Sequence, residues 1–210
     1  MSGVKRIVVG ISGASGIHYG ARVLEMARSA GVETHLVVSK AAEMTLKYET
    51  DLTTKDLTGL AHTRYAAPDI GAPIASGSFP ALGMVIAPCS IRSMSEIATG
   101  VTASLLTRAA DVMLKERRPL VLMVRETPLH LGHLRTMTAL TEMGAIIYPP
   151  VPAFYAEPTS LDDLVTQSAG RALDLLGIHA EGTKRWGLDV TGRLARTDAP
   201  PDDELASSDG

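Results

Sequence analysis

The chain has 210 residues, 45% of them hydrophobic and 20% charged, which is enough to bury one substantial core and unlike a disordered sequence. A net charge of −3 and a pI near 6.1 argue against a general nucleic-acid binder, which carries a basic excess. The single cysteine, Cys89, excludes an intrachain disulfide, and no stretch approaches the roughly 18 apolar residues of a membrane-spanning helix.

Only 4% of residues are aromatic, so the core relies on Val, Ile, Leu, Met and Ala, as the buried strands of a parallel sheet do. The opening MSGVKRIVVGISG breaks at glycine before any long apolar run. No signal peptide is expected there, and the expected location is the cytoplasm.

Strand-like apolar runs alternate with helical spacings, the pattern of an α/β domain with a mainly parallel sheet. Residues 6–11 read as the first strand and 12–16 (SGASG) as a tight loop. A helix is predicted over 17–30, with Val23, Leu24, Met26 and Ala27 on its apolar side and Gly31 as its stop. A second strand over 33–39 leads into a helix over 41–49. Residues 50–80 read as mostly loop with some helix, and ASGSF at 75–79 as a ligand-facing turn. A buried strand follows at 84–88. Residues 93–118 read as mainly helical, broken near Gly100 and Thr102. Strands are predicted at 120–125 and 145–148 with a helix over 131–143 between them. The last helix is predicted over 161–176, capped by Ser160 and ended by Gly177. The Asp-, Ser- and Pro-rich end, 196–210, reads as a mobile acidic tail.

The first strand, its loop and the following helix form a phosphate-binding candidate. Glycine permits the tight turn, and a helix N-terminus offers free N–H groups and a positive dipole end. The spacing Gly10-x-x-Gly13-x-x-Gly16 is neither a dinucleotide fingerprint nor a P-loop. The second strand ends in Ser39-Lys40, where a dinucleotide site would carry an acidic residue for the ribose. Gly13, Ala14, Ser15 and Ser39 therefore point to a mononucleotide such as FMN. A turn of small residues that only lets the helix pack on the sheet is the alternative.

Arg108, Lys115, Arg117 and Arg118 lie in RAADVMLKERR, with Arg108 and Lys115 two helical turns apart. Arg125 and Glu126 end a strand, where open α/β sheets bind ligands, and Arg171 lies on the last helix. Lys115, Arg125 and Arg171 can gather around an anionic substrate; the competing reading is a solvated helix face. His130 and His133 have an i, i+3 spacing but lack a third ligand, and Cys89 reads as a small buried residue beside a loop.

Several segments in order resemble UbiX-type flavin prenyltransferases, over about 5–187. They are GISGASGIHYG from Gly10, SKAA from Ser39, ASGSF from Ala75 and MVIAPCS from Met84. RAADVMLKERRPLVL from Arg108, RETPLHLGHL from Arg125, PAFY from Pro152, GRALDLLG from Gly170 and RWG from Arg185 continue the series. The resemblance implies a Rossmann-like, flavodoxin-type three-layer α/β fold in a single domain over 1–190, followed by an acidic tail over 191–210. It implies non-covalent FMN, used in its reduced form, and transfer of a dimethylallyl group from dimethylallyl monophosphate to flavin N5 and C6 with no metal required. It further implies delivery of prenylated FMN to a UbiD-type decarboxylase and a homo-dodecamer with active sites at subunit contacts.

By residue match, Gly13, Ala14, Ser15, Ser39, Ser90, Ile91, Arg92, Ser93 and Arg125 correspond to FMN ligands. Lys115, Arg125, Tyr155 and Arg171 correspond to the phosphate site, with Trp186 near the pocket. Ser15, Glu49 and Glu126 correspond to the catalytic set: Ser15 at the reacting flavin edge, Glu126 as proton donor to the departing phosphate, and Glu49 assisting proton movement. Cations in place of a metal ion suit this chemistry, because C–O cleavage in an allylic phosphate builds negative charge on the leaving group. Two departures stand out. Ser12 replaces the threonine often found before GASG, and Ile91-Arg92 is bulkier than the residues often found after PCS, so that Arg92 would reach FMN through its backbone. The rival enzyme reading is an FMN-dependent cysteine-type decarboxylase of the same fold. RETPLHLGHL stands in place of that family's P-x-M-N-x-x-M-W motif, and His18 lies on the opening turn of the first helix rather than beyond it. A third reading is a non-catalytic flavin-binding subunit; the cationic and acidic set argues against it.

Overall fold

Alternating apolar and β-branched residues make Arg6–Ile11 (β1), Glu33–Val38 (β2), Met84–Cys89 (β4) and Leu120–Val124 (β5) into strands buried on both faces. Two short strands, Thr63–Tyr65 (β3) and Ile146–Ile147 (β6), complete a sheet of six parallel strands in the order β3-β2-β1-β4-β5-β6. The computed structural model describes residues 3–190, so the acidic tail expected at 191–210 lies outside the described residues.

Side chains of β1 alternate between two cores. Ile7, Val9 and Ile11 face helices Ile17–Ser29 (α1) and Leu161–Asp174 (α7), with Lys40–Glu49 (α2) and Thr54–Gly59 (α3) at the margin. Val8 faces the other way, with Ile86 and Leu122, toward Ile91–Ala98 (α4), Leu105–Lys115 (α5) and Leu131–Glu142 (α6). The result is the three-layer α/β/α arrangement expected from the sequence. Gly20 lets α1 lie close on the sheet: a Cβ there would come within 2.3 Å of the Ala87 carbonyl oxygen.

Chain order decides where a ligand sits. From β1 the chain runs outward through β2 and β3, then returns to the other side of β1 as β4. The C-terminal ends of β1 and β4 thus diverge at a topological switch point, where open α/β sheets leave a crevice.

Most predicted elements are present with ends within two residues. The 93–118 stretch is two helices, α4 and α5, separated around Gly100, which has φ +70°. The 50–80 stretch contains α3 and the unforeseen β3, a polar three-residue edge strand with no apolar alternation. Helix α6 buries only Leu140 and leaves Leu131 and Leu134 exposed. Among the described residues no helix is long and apolar enough to cross a membrane.

Candidate active site

Three serine-capped helix N-termini converge at the switch point. Ser39 caps α2 by accepting the Ala42 N–H at 3.1 Å, Ser90 caps α4 from the Ser93 N–H at 3.2 Å, and Ser104 caps α5 from the Thr107 N–H at 3.4 Å. In each helix the first-turn N–H groups have no intrahelical partner and carry the positive end of the helix dipole. A cavity of about 280 Å³ lies among them, lined by Gly13, Ser39, Ala41, Ser90, Ser93 and Ser104 with Leu106 as an apolar wall. Gly13 is required there: a Cβ would stand 2.4 Å from the Ala41 Cβ and 3.0 Å from its carbonyl carbon.

Ser12 ties the two sides of the crevice together. It is 1% exposed, donates from Oγ to the Pro88 carbonyl at 2.9 Å and accepts the Ser90 N–H at 2.7 Å. A threonine Oγ1 can make the same pair of bonds, which accounts for the tolerance of serine here. The bulk at Ile91-Arg92 is also accounted for. Ile91 packs against the α5-side core, and Arg92 Nε turns to Glu96 Oε1 at 2.8 Å, leaving their first-turn N–H groups beside the cavity.

The N-terminus of α1, which the glycine loop offers to a phosphate, has a different partner. Glu49, at the end of α2, accepts the N–H groups of Gly16 at 2.8 Å and Ile17 at 3.2 Å. Burial would raise its pKa, but the Ser15 hydroxyl, these two N–H groups and the nearby His18 hold the carboxyl below its ordinary range. Ser15 and Glu49, both assigned by resemblance, are thus joined in one hydrogen-bonded unit at the mouth of the crevice.

Arg125 follows β5 at the same end of the sheet, with its N–H on the Cys89 carbonyl at 3.1 Å. Its exposed guanidinium has no hydrogen-bond or ion-pair partner among the described residues. Tyr19, on the first turn of α1, is the side chain that feels it: burial raises the Tyr19 hydroxyl pKa and Arg125 opposes that rise. Glu126 is exposed beside Arg125 and accepts the Thr127 N–H at 2.9 Å.

The remaining expected residues lie elsewhere on the chain. Lys115 ends α5 and is ion-paired with Glu116 below the ASGSF loop, whose Gly77 carbonyl accepts from Arg118 at 2.8 Å. Arg125 is beyond the far end of β5, and a five-residue strand spans about 15 Å. One chain therefore does not bring Lys115 and Arg125 together. Tyr155, Arg171 and Trp186 form a third group on the outer side of α7. The rings of Tyr155 and Trp186 meet edge to face at 5.7 Å, and Arg171 pairs with Asp174 at 2.5 Å.

Sequence reasoning missed Tyr19 and Tyr148. The Tyr148 hydroxyl donates to the Ser168 carbonyl of α7 at 3.3 Å; burial raises its pKa and Arg171 opposes that rise. Tyr19 lies inside the GISGASGIHYG segment, where the glycines and Ser15 carry the signal, and Tyr148 sits in no segment that signals a site. Ser104 was readable, since Ser104-x-x-Thr107 is a capping box. His130 caps α6 through Nδ1, at 3.0 Å from the Gly132 nitrogen, and its ring stacks on His133. Cys89 is fully buried, and desolvation pushes its thiol up to about 12, as suits a packing residue.

Comparison with known proteins follows the same lines. The Flavoprotein family profile matches residues 1–172. A flavin prenyltransferase UbiX of Thauera aromatica is 54% identical over 192 residues, covering 91% of this chain and 99% of its own. The crystal structure of AnUbiX (PadA1) with FMN and dimethylallyl pyrophosphate superposes with a TM-score of 0.86 at 49% identity, covering 88% of this chain and 98% of that one. A dodecameric FMN-dependent UbiX-like decarboxylase from Escherichia coli O157:H7 gives a TM-score of 0.83 at 42% identity, covering 86% of this chain and 98% of that one.

Proposed function

The chain belongs to the UbiX family of flavin prenyltransferases, and from that premise we propose that it transfers a dimethylallyl group from dimethylallyl monophosphate to N5 and C6 of reduced FMN. The observation that carries the reading is the convergence of three serine-capped helix N-termini on one cavity, with Arg125, unpaired among the described residues, at the neighbouring strand end.

The cavity suits a phosphate-bearing mononucleotide. Free N–H groups of α2 and α4 and the Ser39 hydroxyl supply donors, and Leu106 supplies an apolar wall. Gly13, Ala14, Ser15, Ser39, Ser90, Ser93 and the backbone of Ile91 and Arg92 would hold FMN, with Arg125 over its outer edge. When bound and reduced, FMN supplies the electron-rich positions that become prenylated.

The residues do the remaining work. Breakage of the allylic C–O bond sends an electron pair to the phosphate, and fixed cations stabilise that charge without reorganising. Arg125 serves from this chain, and Glu126 donates a proton to the departing phosphate. Glu49, already ionised by its contacts, orients Ser15 and would accept the proton released from flavin N5 as the new bond to carbon forms there. Lys115 reaches the same site from a neighbouring copy, which makes the active form a homo-oligomer, as the dodecameric relative suggests, and Tyr155, Arg171 and Trp186 complete the phosphate site. A UbiD-type decarboxylase would receive the product, and the cytoplasm is the setting in which both would meet.

Anaerobic incubation of the protein with reduced FMN, dimethylallyl monophosphate and EDTA should yield a flavin heavier by one C5H8 unit by mass spectrometry; unchanged mass overturns the transferase reading. Lys115→Ala and Arg125→Ala should each be inactive. Co-assembly from mixed unfolded chains should then restore about a quarter of the sites, because separate copies supply the two cations. No recovery would mean that one chain supplies both.

A further inference from the structure

Gln167 and Asp174 lie on one face of α7, two turns apart. Gln167 is 4% exposed and the Asp174 side chain 6%. Buried polar groups destabilise a fold unless they are hydrogen-bonded, and here one segment, 183–190, supplies a partner to each. Gln167 Nε2 donates to the Lys184 carbonyl at 2.9 Å, and its Oε1 accepts the Lys184 N–H at 2.9 Å. Nε2 also reaches the Tyr155 hydroxyl at 3.3 Å.

Asp174 takes Arg185 in a two-pronged grip, Nη1 to Oδ2 at 2.9 Å and Nη2 to Oδ1 at 2.8 Å. His179 Nδ1 meets Oδ1 at 2.9 Å and Arg171 Nη1 meets Oδ2 at 2.5 Å. Burial would raise the carboxyl pKa, but hydrogen bonds from Arg185, His179 and Arg171 bring it down to about 2. The pairings hold the segment at consecutive residues, Lys184 and Arg185. Lys184 Nζ adds a bond to the Ala156 carbonyl at 2.7 Å, tying in the Tyr155 turn.

Trp186 comes next. It is 64% exposed yet fixed against Tyr155, and the Arg185 N–H on Asp189 at 2.7 Å closes the loop that carries it. Core packing does not account for two buried polar residues holding an exposed tryptophan. The charge balance adds to this. Asp174 and Asp189 face three cations, Arg171, Lys184 and Arg185, so the group is cationic even with His179 neutral. Arg171 remains 43% exposed, with Nε and Nη2 unbonded among the described residues.

We propose that Gln167 and Asp174 are positioning residues that clamp segment 183–190 to α7 and so preset Arg171, Tyr155 and Trp186 as one subsite for the phosphate-bearing allyl substrate. The inference rests on the function proposed above. The two clamp residues act on different members of the subsite. Asp174 fixes the position of the Arg171 head group and leaves its free edge outward, while Gln167 fixes both the Tyr155 hydroxyl and the backbone just before Trp186. Preorganised binding groups of this kind avoid ordering costs when the substrate arrives.

Trp186 is the sole tryptophan, so its emission reports on the clamp directly. The test compares the full assembled protein with Asp174→Asn and Arg185→Met; the second leaves Asp174 paired with Arg171 and His179. Both variants should retain FMN, show lower Trp186 anisotropy, and raise KM for dimethylallyl monophosphate about tenfold with a much smaller change in kcat. The double variant should be no worse than the single ones, since both break the same clamp. Unchanged anisotropy and KM in a folded variant overturns the proposal; if Asp174→Asn does not fold, Arg185→Met decides. Should the wild type transfer no prenyl group, titration with dimethylallyl monophosphate followed by Trp186 emission still decides. A saturable signal weakened about tenfold in the variants supports the clamp, and no signal in the wild type removes the subsite.

Discussion

Replacing Glu49 by glutamine keeps the shape of the side chain and one acceptor oxygen but removes its charge. In the native protein that charge stands 2.8 Å from the Gly16 nitrogen and 3.2 Å from the Ile17 nitrogen, at the positive end of α1. An anion in such a position is worth about 1 kcal/mol, taken toward the lower end because Glu49 is only partly buried. For a domain of this size the Glu49→Gln melting temperature should therefore fall by about 2–4 °C at pH 7. The sign of the pH dependence follows from the depressed carboxyl pKa. The stabilisation is present above the ordinary carboxylate range and is lost as pH falls through the folded-state value. Calorimetry from pH 7.5 downward should show the gap between wild type and variant closing in acid. Equal melting temperatures at neutral pH would refute the capping argument. A gap that persists undiminished into acid would show that the loss is one of packing instead of charge.

Ser12→Ala takes the acceptor from the part-buried Ser90 N–H, for an expected loss of about 1 kcal/mol in urea unfolding, whereas Ser12→Thr should stay close to wild type. Cys89, fully buried and with its thiol pushed up to about 12, should resist a disulfide reagent at pH 8 in the native protein and react once per chain after unfolding; rapid native reaction would contradict its burial.

Local rules make much of this protein legible from its residues alone. A strand ending in small residues, a helix on 3.6-residue spacing, and the serine before each of α2, α4 and α7 are written in a few consecutive residues. They fix elements, caps and the end of the sheet where a ligand belongs. The family resemblance rests on the same short segments. What required the tertiary structure is every pairing between distant positions. Glu49 reaches α1 across 33 residues and takes the helix end that the glycine loop offers to phosphate, leaving α2, α4 and α5 to form the cavity. Lys115 and Arg125 are only ten residues apart in the chain, yet the strand between them carries them to opposite ends of the sheet. Edge strand β3 has no apolar alternation to announce it, because its pairing with β2 comes from the sheet and not from its own sequence. Periodicity records which face of an element is buried; it does not record which other element covers that face, and the site is made of those coverings.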